Sequence, residues 1–291
     1  MKVSKEILRD EALIHALEEA VRDPSARAPF YDKLRRVCGL PGPRLNLGLL
    51  RGFALEAARR GAAMDVLLTA MASLHEDVAP FGHVDEILPI LGVAGLGARA
   101  AADPNVRACL LEMLEEHACE RTRFRVRDAV AAALAAIGAE VGPPFADVLR
   151  RWVDDDQTFL ALAVAVALAD PDLATALGSE ACAMLVAGLL VRVAREHRGG
   201  RRHDAFRRLC KVLETTPALV VARHPRVLDA IVPRVADDED VRAIATATAA
   251  ALRNGRPERA QVLENALTAT AKGPRDPRHG RLPGKRGRGR H

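Results

Sequence analysis

At 291 residues, 49% apolar, 28% charged and with a mean hydropathy of zero, the chain reads as a soluble folded protein and not as a disordered or membrane-embedded one. Only 3% of residues are aromatic (one Trp, one Tyr, seven Phe), so the core must come from Ala, Leu and Val, which suit close-packed helices and disfavour large β-sandwiches and barrels. The formal charge of +5 conceals two basic segments, 272–291 at +7 and 192–211 at +6, which leave the remainder at −8.

The longest uncharged stretch is the 13 residues Gln157–Ala169, against the roughly 17–25 that a membrane-spanning helix requires. Glu6, Arg9, Asp10 and Glu11 interrupt the apolar run a signal peptide would need. Cys38, Cys109, Cys119, Cys182 and Cys210 are odd in number and scattered, which fits no disulfide framework and points to a reducing cytoplasm. His117 with Cys109 and Cys119 lacks the paired C-x-x-C of a structural zinc site, and these cysteines read as small buried hydrophobes. No metal and no cofactor is expected.

In chain order, Asp23-Pro24 is the first turn, with Pro fitted to a first helical position and Asp just before it. Leu40-Pro41-Gly42-Pro43 breaks the chain, and helices are expected over Asn46–Arg60 and Ala62–Leu74. His75-Glu76-Asp77 and His83-x-Asp85-Glu86 crowd two His and four carboxylates together, but Pro80 and Gly82 end any helix between them. No zincin spacing results, and the segment reads as a charged loop.

Asp103-Pro104-Asn105-Val106-Arg107 joins an apolar stretch holding Leu88, Ile90 and Leu91 to one holding Leu110, Leu111 and Leu114. Arg121, Arg123, Arg125 and Arg127 alternate, so on a helix they spread around the axis, which suits capping and ion pairing better than one patch. From Pro144 to Ala169, Phe145, Val148, Leu149 and Trp152 make one stripe, Asp154-Asp155-Asp156 a turn, and Phe159–Ala169 a helix apolar on every side, which must be covered all round. Asp170-Pro171 opens the next helix. In Pro225–Leu252, Val227, Leu228, Ile231, Val232 and Val235 make a stripe and Asp237–Asp240 break it. Val241, Ile244, Ala245, Thr248 and Leu252 follow at helical spacing.

These paired helices recur at about 40 residues: Asp23 to Asp103 is 80 residues and Asp154 to Asp238 is 84, while Asp103 to Asp170 and Asp170 to Asp237 are each 67. The pattern Pro225-x-Val227-Leu228-x-x-Ile231-Val232, then Asp237, then Val241-Arg242 resembles HEAT-repeat proteins. It recurs at Asp103 to Arg107 and, without the Val-Arg pair, at Asp154 to Leu168. The resemblance implies an all-α fold, an α-solenoid of about six stacked hairpins over residues 1–271. The Arg/Gly-rich tail 272–291 that follows holds no apolar residue except Leu282 and is expected to be disordered. It further implies that the second helices, starting near Asn105, Arg123, Gln157 and Glu239, line a concave face that holds a partner.

Two basic elements are candidates for that contact. Phe206, Leu209, Cys210 and Leu213 form one stripe, leaving Arg207, Arg208 and Lys211 outside; with Arg192, Arg195, Arg201 and Arg202 they would form a basic partner-binding ridge. The tail Gly284–Arg290 alternates Arg with Gly and could pair with phosphates, although it carries no aromatic residue on which bases would stack. The reading is a non-enzymatic cytoplasmic scaffold for a protein partner, with no membrane role and no small-molecule substrate expected. The alternative is a nucleic-acid-binding solenoid gripping phosphates through the ridge and tail. A base-excision activity, which some HEAT-like proteins possess, lacks support because Trp152 falls in a core stripe and no aromatic cradle for an extruded base is visible.

Overall fold

A computed structural model describes residues 11–42 and 44–271, among which there is no strand. The chain is all-α, as its composition requires; the tail 272–291, expected to be disordered, lies outside the described residues. The helices are α1 (Glu11–Arg22), α2 (Arg27–Val37), α3 (Leu47–Arg60), α4 (Asp65–Ala72), α5 (Ile87–Ala102), α6 (Arg107–Ala118), α7 (Phe124–Val141) and α8 (Ala146–Asp154). They continue as α9 (Thr158–Ala167), α10 (Pro171–Arg195), α11 (Asp204–Leu213), α12 (Thr216–Arg223), α13 (Leu228–Ile231), α14 (Glu239–Leu252) and α15 (Pro257–Ala271).

Side-chain caps set many of the boundaries. The Asn46 side chain accepts from Leu49 N–H at the start of α3, Asp170 from Asp172 and Leu173 N–H at α10, and Asp238 from Asp240 N–H at α14. Asp23 does the same for the short 3-10 turn Pro24–Ala26. Two segments depart from expectation. The stretch 225–235 is not one helix: a single α-turn, α13, sits between the 3-10 turns Pro225–Val227 and Val232–Arg234. Pro233 supplies no N–H for an i→i−4 bond and tightens the backbone there. The stripe survives, with Val227, Leu228, Ile231 and Val235 all buried.

The other is α10, which by length and composition alone could cross a membrane, its most apolar window having a mean hydropathy of 1.7. Gly178, at φ 80°, divides it into stretches 171–177 and 179–195. Its buried Leu173, Leu177, Leu185, Leu189 and Val193 belong to the common core, and the helix packs on α7, α8, α12, α13 and α14.

The packing follows chain order. Helices α3, α5, α7, α9 and α11 lie side by side, each against the next, while α4 packs on α5, α6 on α5 and α7, and α8 on α9 and α10. The wholly apolar α9 is enclosed by α7, α8 and α11, and its Ala161, Val164 and Ala165 are completely buried. Two glycines permit the closest approaches. A Cβ on Gly97 would stand 2.2 Å from Ala133 Cβ, and one on Gly92 would stand 2.4 Å from Ala72 N. Interior glycine weakens a helix by about 1 kcal/mol relative to Ala. Here it lets α5 meet α7 and α4 almost backbone to backbone.

Candidate functional site

The seven basic residues expected to form one ridge are distributed by the fold into three settings. In α11 the stripe of Phe206, Leu209 and Leu213 is buried, and Arg207, Arg208 and Lys211 lie outside it. Arg201 is consumed internally: it pairs with Asp238 at 2.7 Å and Asp240 at 2.6 Å, and its guanidinium lies over Phe206. That hydrogen bond to Arg201 holds the Asp238 carboxyl below its ordinary pKa, outweighing burial. Arg192 donates to the Asp155 and Asp156 carbonyls and to Thr158 Oγ1, closing the turn between α8 and α9. Arg192 and Arg195 line a cleft of about 870 Å³ between α8 and α10. Arg202 is exposed and makes no ion pair. Arg207 and Arg208 pair with Asp204, and Lys211 pairs with Glu214.

Arg208 and Lys211 share a groove of about 190 Å³ with residues 124–131 of α7 and 159–166 of α9. Its apolar floor includes Phe124, Phe159, Leu162 and Val166. Side-by-side packing places the helix starts together, so arginines of one helix stack on rings of its neighbours. Arg127 lies 4.6 Å from the Phe159 centroid, and Arg208 lies 5.8 Å from that of Phe124. Arg125 lies over both Phe124 and Phe81, whose rings are 4.9 Å apart. Such contacts contribute about 0.5–2 kcal/mol each, more where water is excluded.

Arg127 is buried and donates to the Glu120 and Arg121 carbonyls. Burial, reinforced by the Arg208 charge, lowers its pKa from the ordinary arginine value. Asp128 keeps one edge exposed and stands within the groove, partly enclosed by its neighbours. Loss of water there raises its pKa despite the opposing charges of Arg127, Arg208 and Arg125.

Three of the alternating arginines, Arg123, Arg125 and Arg127, act as capping and pairing groups, while Arg121 is exposed and forms no ion pair. Arg123 is buried, pairs with Glu120 and donates to the Leu74 carbonyl at 2.7 Å. Arg125 reaches Glu86 Oε2 at 2.9 Å. The loop that reads as charged is in fact partly interior: Glu86 is completely buried, accepting from Gly82 N–H through Oε2 and leaving Oε1 without a partner. Sequence reasoning missed Phe124 and Phe159 as groove residues and Phe81 as the ring beside Phe124. The available signal was Phe124-Arg125-x-Arg127, a ring at a helix start followed by arginines.

Among the described residues, no group of three or more His, Cys, Asp and Glu side chains is placed to hold a metal ion. Burial pushes the Cys182 and Cys210 thiols up to about 11 and about 12, opposite to the shift that activates a nucleophile. No family model, curated protein or solved structure matches this chain.

Proposed function

We propose that the chain is a HEAT-like α-solenoid acting as a non-enzymatic scaffold, and that the groove across α7, α9 and α11 receives a protein partner. The reading is supported above all by one observation: consecutive helices of one row bring aromatic rings, an apolar floor and the unburied cations Arg208 and Lys211 to a single concavity. Stacked hairpins bury their apolar faces on their neighbours and leave such a surface open for docking. A partner segment with an apolar side chain flanked by carboxylates would fill the floor and pair with the rim. Of the seven ridge residues, Arg208 and Lys211 are the two that line this groove.

Panning a peptide display library on the full chain tests the reading. The enriched peptides combine apolar and acidic residues, and their affinity falls at least tenfold on the R208E/K211E double variant, whose far-ultraviolet dichroism is unchanged. Enrichment without acidic residues, or equal binding by the variant, refutes it. The nucleic-acid alternative predicts instead that material captured from extract is lost on nuclease treatment, with a steep salt dependence.

A further inference from the structure

We infer that the cleft between α8 and the second stretch of α10 is a binding site for a phosphate-bearing small molecule. Its volume of about 870 Å³ falls within the roughly 300–1,000 Å³ of small-ligand sites. Along α10 the wall changes from apolar Met184, Leu185 and Val191 to cationic Arg192 and Arg195. Gly188 lets α10 approach α8 closely beside the cleft: a Cβ there would come within 3.1 Å of Val153 Cγ1. Arg234, from the 3-10 turn after α13, and Arg150, from α8, complete the lining.

The rim offers an anion cationic donors. The terminal nitrogens of Arg192 are held by the Asp155 and Asp156 carbonyls and Thr158 Oγ1, and Nη1 of Arg234 by the Ala230 carbonyl, while the Nε atoms of both are buried without an acceptor. Arg195 has no partner at all. The acids do not supply the deficit. Asp154 is 3.5 Å from Arg150, Glu196 is taken by His197, and Asp156 is exposed and forms no ion pair. A phosphate, with several acceptor oxygens and a geometry that matches the guanidinium fork, fits this excess of donors. The apolar stretch of α10 suits the non-ionic body of such a ligand.

The test uses inorganic pyrophosphate with the full chain, titrated by calorimetry at fixed ionic strength. One saturable site is expected, with affinity reduced at least tenfold by R195A and by R234Q and unchanged by R202A, which lies outside the cleft. Citrate, a carboxylate anion of comparable charge, should bind at least tenfold more weakly. Thermal melts of each variant establish that it is folded, and R195A removes a side chain with no partner, so its folding is not at issue. Absence of saturable binding, equal binding by R195A, or equal affinity for citrate each overturns the assignment. Peptide binding at the α7–α9–α11 groove should survive R195A, which separates failure of this site from failure of the groove.

Discussion

The groove and the cleft are both built from arginine, yet the residue does opposite things in them. In the groove the Arg127 guanidinium is committed to two backbone carbonyls and the face of Phe159. In the cleft Arg192 and Arg234 also reach backbone carbonyls, but Arg195 is exposed and forms no ion pair or side-chain hydrogen bond. Charge alone does not distinguish these sites. What differs is whether the surrounding backbone has presented acceptors, because a guanidinium satisfied by carbonyls holds structure while one left short is available to a ligand.

Replacement of Arg127 by Ala should make the largest difference between the two. It strands the Glu120 and Arg121 carbonyls and uncovers Phe159, so urea denaturation should show a loss of about 3 kcal/mol. A loss below about 1 kcal/mol would erase the contrast with the cleft. Arg201→Ala should cost about 1 kcal/mol at neutral pH, since its pairs with Asp238 and Asp240 are partly exposed. Because the folded-state pKa of Asp238 is depressed, this contribution is complete above the ordinary value of 3.8 and is lost as pH falls through the lower folded value. Parallel melts of wild type and R201A should therefore converge in acid.

Asp128→Asn should act in the reverse sense. A raised carboxyl pKa penalises the ionised form, so the penalty develops as pH rises above 3.8 and through the folded value. The variant should melt slightly higher than wild type at pH 7 and level with it in acid. Smallest of all, Arg195→Ala should change stability by less than about 0.5 kcal/mol. A larger loss in chemical denaturation would place Arg195 with the structural arginines and not with the ligand-binding ones.

Much of the local architecture was legible in the sequence. Asn46, Asp170 and Asp238 announce helix starts because their side chains cap nearby backbone N–H groups, an interaction spanning only two or three residues. The apolar run through α9 foretold a helix enclosed by others. Pro233 was equally visible, but the regular stripe around it concealed its effect on the backbone. The sites were far less legible. The partners of Arg201 lie 37 and 39 residues downstream, and those of Arg192 are carbonyls of a distant turn, so neither commitment leaves a local trace. Phe124 and Phe159 share a groove only because α7 and α9 start alongside each other, a property of packing that single helices do not encode.

The contact of Gly97 with Ala133 gives that alignment a mechanical side. Ala133 lies nine residues along α7 from Phe124, about 13 Å at 1.5 Å per residue. With only the Ala133 methyl between the two backbones, α7 rests closely against α5 at this seam. A bulkier residue there would tilt α7 about that point and swing its leading end, displacing the Phe124 ring and the arginines beside it. A substitution at Gly97 should therefore surface as weakened recognition at the start of α7, about 13 Å away.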